Sequence, residues 1–212
     1  AKNEMKRTRN SPASNPIESI QTVIAKIESG STVTEEDFSV LRDFIGAIPT
    51  SRPLKDSESS EIRKAATTLW NSAISLGLER DHRHDSNLVV RLRHAACDLM
   101  STSIHSSSKG ANAECVLALV GMLSKTGLCW AELKNKTMSE SAFSAADEAW
   151  SLLSLPKTQQ HDSIAAASAK FNALCLRARA CWMTGDREMS SSMLSQAKSM
   201  VLDKKEELVQ PE

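Results

Sequence analysis

The sequence predicts an all-α protein built from helical hairpins. Apolar residues recur at spacings of three and four over long stretches, which is typical of helices with one buried face. Alternating runs of β-branched and polar residues, which would indicate strands, are nearly absent, and the chain has no tyrosine. Two stretches also follow one helix-turn-helix pattern. Together these three observations favour paired antiparallel helices over any fold that contains a sheet.

The first predicted hairpin has clear local signals. Asn15 followed by Pro16 suits a helix start, because the asparagine oxygen accepts an orphan amide and proline fits the first turn. Gly30 is typical of a helix end. Thr34 and Asp37 have the spacing of a capping box, so we expect a second helix to begin there.

Turn and capping signals divide the rest of the chain into six more helices. Charged and polar segments such as residues 79–85 separate the apolar stretches, and Thr137 with Glu140 has the spacing of another capping box. We therefore expect about eight helices in four hairpins. Their expected bounds are about 16–29, 35–48, 61–78, 86–105, 113–134, 139–153, 163–183 and 187–202.

The last two hairpins match the tetratricopeptide repeat, a helix-turn-helix unit of about 34 residues. Small residues in such a unit let its two helices approach closely, and bulky residues fill the gap to the next unit. The better matches cover about 120–153 and 171–203, yet their small residues Gly127 and Ala178 lie 51 positions apart. We therefore expect a degenerate tetratricopeptide-like solenoid, and its apolar last helix indicates a piece of a longer array. The matched positions are Leu123, Gly127, Trp130, Ser139, Phe143 and Ala146 in the first, and Leu174, Ala178, Cys181, Gly185, Ser190, Leu194 and Ala197 in the second.

Composition restricts the class of protein. A hydrophobic content of 41% predicts one globular helical domain over residues 15–212, after a flexible polar tail at 1–14. The 26 basic and 26 acidic residues cancel, which argues against nucleic-acid binding by this segment. We expect no membrane span, because no run approaches about 20 apolar residues. Five cysteines without metal-binding or disulfide spacing favour a reducing intracellular compartment.

No residue pattern in the chain is typical of a catalytic or cofactor-binding motif. We therefore expect no enzyme activity, no cofactor and no small-molecule substrate. His82 and His84 with Asp81 and Asp85 form the one compact cluster of possible metal ligands, but interleaved arginines would repel a cation, so we predict no metal. His94 is interpreted as a packing or capping histidine.

Tryptophans and cysteines stand mostly at positions that favour packing. Trp130 occupies the aromatic core position of the repeat, whereas Trp182 could belong to the core or to a recognition surface. Small apolar side chains are expected at four cysteine positions, so these thiols are predicted to be inert core residues. They are Cys97, Cys129, Cys175 and Cys181.

The first helix of each repeat lines the concave face of a helical array, so its outward positions are candidates for binding a partner. Lys125, Asn172 and Arg179 could hold a partner's carboxylate by charge-assisted hydrogen bonds, or they could be solvated surface residues. The concave positions are Ser124, Lys125, Leu128, Ala131 and Glu132 in one repeat, and Asn172, Cys175, Arg179, Trp182 and Met183 in the other. Our partner-binding candidates are Lys125, Glu132, Asn172, Arg179 and Trp182.

Short motifs occur in one order between about residues 61 and 203. They are Leu69-Trp70-Asn71, Leu92-Arg93-His94-Ala95, Lys125-Thr126-Gly127-Leu128 with Trp130, Phe143 with Ala146 and Glu148, Arg177-Ala178-Arg179 with Trp182 and Asp186, and the run Leu194 to Lys198. This ordered set resembles the amino-terminal region of the Zip-four/Spo-twenty-two family of meiotic proteins. The resemblance implies a tetratricopeptide-like scaffold in the nucleus, on meiotic chromosomes. It also implies that the protein promotes crossover formation and synaptonemal-complex assembly by holding other crossover proteins.

Two functions follow from these observations. The first is a non-catalytic meiotic scaffold that binds a peptide segment of another crossover protein. The alternative is a general cytosolic tetratricopeptide adaptor that binds a peptide or a carboxyl terminus.

Overall fold

A computed structural model describes residues 16–48, 53–78, 86–107, 112–153 and 164–209. Nearly all of these residues are helical, and no strand occurs among them beyond one isolated bridge between Leu54 and Ser107. The prediction of an all-α fold is confirmed. The described helices are α1 (Pro16–Glu28), α2 (Glu35–Ala47), α3 (Asp56–Leu78), α4 (Ser86–His105), α5 (Ala113–Glu132), α6 (Lys136–Ser151), α7 (Ile164–Met183) and α8 (Arg187–Val209).

The turn between α1 and α2 forms as its residues predict. Gly30 takes a left-handed φ of 68°. The capping box is present, because Thr34 Oγ1 accepts from the Asp37 amide and Asp37 Oδ2 accepts from the Thr34 amide at 2.8 Å. Lys26 Nζ lies 2.5 Å from Asp37 Oδ1. Burial acts to raise the pKa of Asp37, but the hydrogen bonds from Lys26 and Thr34 outweigh it and lower the pKa.

Two predicted helix starts are wrong. The third helix begins at Asp56 instead of Glu61, where Lys55 donates its amide to Glu58 Oε2 at 3.0 Å. The sixth begins at Lys136, because Asn135 Oδ1 accepts from the Met138 amide at 3.1 Å. An asparagine two residues before Thr137 thus caps the helix first, and the capping box predicted at Thr137 and Glu140 is not used.

The eight described helices form four hairpins: α1 with α2, α3 with α4, α5 with α6, and α7 with α8. Neighbouring hairpins contact each other through α1 and α3, α2 and α4, α4 and α5, and α5 and α7. The prediction of stacked hairpins is therefore confirmed. The tail at 1–14 and the charged turn at 79–85 lie outside the described residues.

The main core extends from α1 to α6. Its fully buried side chains include Ile20, Leu41, Leu69, Leu92 and Leu119. Two smaller apolar clusters hold the last hairpin, one between α5, α6 and α7 and one between α7 and α8. The last hairpin therefore buries fewer large apolar side chains than the hairpins before it.

Gly127 shows why the repeat needs a small residue. A Cβ at this position would lie 2.8 Å from Cε2 of Phe143 on the facing helix α6. Its counterpart Ala178 is also buried, and Ser190 of α8 donates its hydroxyl to the Ala178 carbonyl at 2.8 Å. Two matched positions differ: Phe143 is buried while its counterpart Leu194 is 53% exposed, and Trp130 is buried while its counterpart Cys181 is only partly buried.

Helix α5 is long enough and apolar enough to cross a membrane, with a mean hydropathy of 1.3. The expectation that no stretch approaches the length and apolar content of a membrane span is therefore wrong. More than half of that apolar stretch, 56%, is buried inside the protein. Burial of this kind is typical of a helix at the centre of a helical array, where several neighbours cover its sides.

Candidate protein-interaction surface

The carboxyl-terminal ends of α5 and α7 lie side by side and present several predicted site residues. Glu132 Oε1 accepts from Arg179 Nη2 at 3.3 Å, and Lys134 Nζ lies 3.4 Å from the Met183 carbonyl oxygen. The Arg179 side chain is 63% exposed, so this ion pair contributes little to stability. Two of the five candidates therefore pair with each other within the chain.

Lys125 and Asn172 lie on the same two helices, seven residues before Glu132 and Arg179 respectively. Seven residues are about two helical turns, so this second pair of side chains lies roughly 10 Å from the ion pair along the helices. Both residues are exposed, and Lys125 forms no ion pair with any described residue. We call the surface formed by Lys125, Glu132, Asn172 and Arg179 the α5–α7 strip.

Three residues assigned to the concave face lie inside the protein instead. Ser124 and Ala131 are fully buried, and Leu128 packs with Ala131 and Ala180 in the cluster between α5 and α7. Ser124 donates its hydroxyl to the carbonyl of Val120 at 2.8 Å. The prediction was wrong because the close approach of α7 covers the side of α5 that a wider spacing of hairpins would leave open.

Trp182 marks the end of the strip, on α7. Its side chain is 61% exposed, and the Arg187 guanidinium lies 5.2 Å from the ring centroid. Trp130 is 5% exposed, as predicted for a core residue. An exposed indole partly held by a cation offers apolar surface with little loss of side-chain freedom on binding.

A cleft of about 350 Å³ lies between α2, α4 and the α5–α6 region, and sequence reasoning did not find it. Phe38, Leu41, Ile45, Trp130 and Met138 supply apolar lining, while His94 and Asp98 are among its polar residues. Phe38 and Leu41 have the spacing of a buried helix face, which predicts that they lie on the inner side of α2. No local signal indicated that Met138, a hundred residues later, would lie opposite them.

His94 in this cleft acts as a packing residue, as predicted. The Trp130 indole donates to His94 Nδ1 at 3.1 Å, which fixes Nδ1 as an acceptor. His94 Nε2 lies 3.8 Å from Asp98 Oδ1. Burial raises the pKa of Asp98 and the nearby imidazole opposes that rise. No hydroxyl or thiol nucleophile of the described residues bonds to this histidine.

The five cysteines are all free thiols. Burial raises the pKa of Cys97 to about 12. Burial also raises the pKa of Cys129, whose Sγ lies 3.0 Å from the Arg93 guanidinium, and of Cys181. A raised pKa keeps a thiol protonated and unreactive at neutral pH. Cys97 is the core residue that was predicted, whereas Cys129, Cys175 and Cys181 are only partly buried.

Within the described residues, no three histidine, cysteine, aspartate or glutamate side chains form a group that could hold a metal ion. The predicted cluster around His82 and His84 lies outside those residues.

Comparison with protein-family models, with curated proteins and with solved structures finds no match to this chain. The resemblance to the Zip-four/Spo-twenty-two family therefore depends on the ordered motifs alone.

Proposed function

We propose that this chain is a non-catalytic scaffold that binds a segment of another protein along the α5–α7 strip. The observation that carries the proposal is the position of Lys125, Asn172 and Arg179. These polar groups are exposed on two adjacent helices whose opposite sides are fixed in apolar clusters. Rigid helices of this kind present side chains at constant spacing, which is the basis of peptide recognition by helical arrays.

The charges along the strip define what it would bind. Lys125 supplies a cation without an acidic partner in the described residues, and the Asn172 amide, at the corresponding level of the neighbouring helix α7, can donate a second hydrogen bond. We propose that a carboxylate of the partner binds to both groups. The Glu132–Arg179 pair, about 10 Å farther along, offers one acceptor and several donors to a polar group on the same segment.

Other features support a scaffold over an enzyme. The Cys97 thiol has a pKa of about 12, and His94 accepts a hydrogen bond from an indole instead of from a nucleophile. Neither group is activated for covalent or general-base catalysis.

A meiotic role is the second part of the proposal, and the ordered motifs support it. Several motif residues contact each other across helices: the Arg93 guanidinium lies 5.5 Å from the centroid of Trp70, and Trp130 bonds to His94. Residues from separate motifs therefore pack against one another in this fold. We propose that the protein acts in the nucleus on meiotic chromosomes and promotes crossovers by holding other crossover proteins.

Charge reversal tests the strip. Lys125→Glu combined with Arg179→Glu should leave the circular dichroism spectrum unchanged and weaken capture of crossover proteins from meiotic extracts by about tenfold. Lys64→Glu, on the exposed side of α3, is the matched control. Equal capture by the unaltered chain, the double variant and the Lys64→Glu control would show that the strip is not the binding surface. Antibody staining tests the meiotic role, which requires foci on meiotic chromosomes; uniform staining of non-dividing cells would contradict it.

A general adaptor for carboxyl termini is the second candidate, favoured by the Lys125 ammonium and its Asn172 neighbour. Peptides with a free terminal carboxylate and their amidated counterparts separate the two functions. The adaptor requires the terminal charge, whereas a scaffold that binds an internal segment takes both forms equally.

A further inference from the structure

The last hairpin carries nearly all of the exposed large hydrophobic side chains of the described residues. Eight large hydrophobic side chains are exposed in the described residues, and only Val40 of α2 lies outside α7 and α8. Clusters of exposed apolar side chains on one element mark interaction surfaces, whereas single ones are ordinary. The seven are Ile164, Phe171, Trp182, Met189, Leu194, Val201 and Leu202.

The preceding hairpin shows that this face is one that the fold normally covers. Leu128, Ala131 and Phe143 are buried in the cluster that α7 completes. Their counterparts 51 positions later are Arg179, Trp182 and Leu194. The Arg179 side chain is 63% exposed, and Trp182 and Leu194 are exposed as well. The same face is therefore packed on one hairpin and open on the next.

Four apolar residues along α7 are spaced symmetrically about its middle; three of them are exposed, and the fourth, Cys175, is partly buried beside the α7–α8 cluster. Ile164, Phe171, Cys175 and Trp182 are separated by seven, four and seven positions. A helix turns about 100° per residue, so these four side chains lie within about 20° of one line that is roughly 27 Å long. Two such helices placed antiparallel about a twofold axis near Ala173 bring Ile164 opposite Trp182 of the second copy. The same axis brings Phe171 opposite Cys175.

Charge favours the same arrangement. Arg179 and Arg187 flank the Trp182 end of the stripe, and Arg187 lies over the indole. A parallel pair of helices would place these cations of the two copies side by side. The antiparallel pair instead separates the two Arg179 residues, each six positions from the axis, by about 18 Å along the helices, well beyond the Debye length of about 8 Å at physiological salt.

We propose that a second copy of this chain covers this face, in a twofold dimer formed by antiparallel packing of α7 against α7. Trp182 and Ile164 are its outer contacts, and Phe171 and Cys175 are its inner ones. Dimerisation goes beyond the proposed scaffold function and does not depend on it, because self-association needs no partner protein. The interface is isologous, so each copy contributes the same residues.

Sedimentation velocity on the purified chain tests the dimer. The apparent mass should rise from 23.1 kDa toward twice that value as the concentration increases to about 100 μM. Ile164→Ser and Phe171→Ser should each weaken association by about tenfold or more. Val40→Ser, which removes the exposed hydrophobic residue on α2, should leave it unchanged. A chain that stays monomeric at about 100 μM overturns the proposal and leaves this face to a helix of another protein.

Opposite charges test the antiparallel register. Ile164→Glu and Trp182→Lys should each abolish the dimer, and the double variant should restore it because the new charges face each other across the axis. The two positions are about 27 Å apart on one helix, so restoration cannot come from a contact within one chain. A double variant that remains monomeric with a native circular dichroism spectrum overturns this register.

Discussion

Gly127→Ala should destabilise the protein even though alanine is the better helix former. The added Cβ would lie 2.8, 2.9 and 3.1 Å from three ring atoms of Phe143. Carbon atoms in favourable contact are about 3.5–4.0 Å apart, so the ring would have to move by about 0.7 Å. It has little room to do so, since Leu128, Ala131 and Ala180 surround it and the Arg177 guanidinium lies 5.8 Å from its centroid.

Two opposing effects set the size of the change. Overpacking in a well-packed core costs roughly 1–3 kcal/mol. Replacing glycine by alanine inside a helix stabilises the helix by about 1 kcal/mol. We therefore expect the free energy of unfolding to fall by about 1 kcal/mol. Gly121 is the matched control, because it lies in the same helix and a Cβ there would meet nothing within 4 Å. Gly121→Ala should raise the free energy of unfolding by about 1 kcal/mol.

Urea unfolding followed by far-ultraviolet circular dichroism measures both changes. The midpoints of the two variants should move in opposite directions at an unchanged slope. In a Phe143→Leu background, Gly127→Ala should lose its penalty, since the ring that it strikes is gone. Equal stabilisation by both glycine substitutions in the native background would refute the reasoning, because it would show that Phe143 yields freely and that no small residue is needed.

Three further predictions concern single side chains. Asp37→Asn should cost about 1 kcal/mol at neutral pH. The pKa of Asp37 is lowered on folding, so its carboxylate stabilises the folded protein above the unfolded pKa of about 3.9, and this stabilisation is lost as the pH falls through the folded pKa. The free energy of unfolding, measured as a function of pH, should therefore fall less steeply in acid for Asp37→Asn than for the unaltered chain. Trp130→Ala should lower the free energy of unfolding by about 3–5 kcal/mol, whereas Trp182→Ala, at an exposed site, should change it by less than about 1 kcal/mol in urea unfolding; similar losses for both would contradict the burial assigned to them. The Cys97 thiol, with a pKa of about 12, should react with a disulfide reagent only when the chain unfolds, and rapid labelling of Cys97 itself in the absence of urea, located by peptide mass mapping, would show that it is accessible.

Much of the fold could be predicted because its signals are local. Apolar spacing indicated the described helices, and the Thr34–Asp37 capping box forms as expected. The start of α6 could not be decided in the same way, since Asn135 and Thr137 both suit a helix cap. Two competing caps differ by a fraction of a kcal/mol on intrinsic preference, so the turn that precedes them selects one.

The candidate site was less accessible to sequence reasoning. Lys125, Asn172 and Arg179 were selected as outward positions, and they lie on exposed helix faces. Lys125 and Asn172 lie about 10 Å along the helices from the Glu132–Arg179 ion pair, and this arrangement depends on how α5 aligns with α7. The sequence spacing of the two repeats does not predict that alignment.

The sequence by itself determined that this protein is helical, where most of its helices lie and which residues within a hairpin must be small. Each of these properties depends on neighbours three or four positions away, or on the close approach of two consecutive helices. Only the tertiary structure decided which surfaces are covered. Ala131 and Phe143 are buried because α7 packs over them, while Trp182 and Leu194 at the equivalent positions remain exposed because no described helix does the same for them. Burial of a helix face depends on elements far along the chain, and helical periodicity does not encode them.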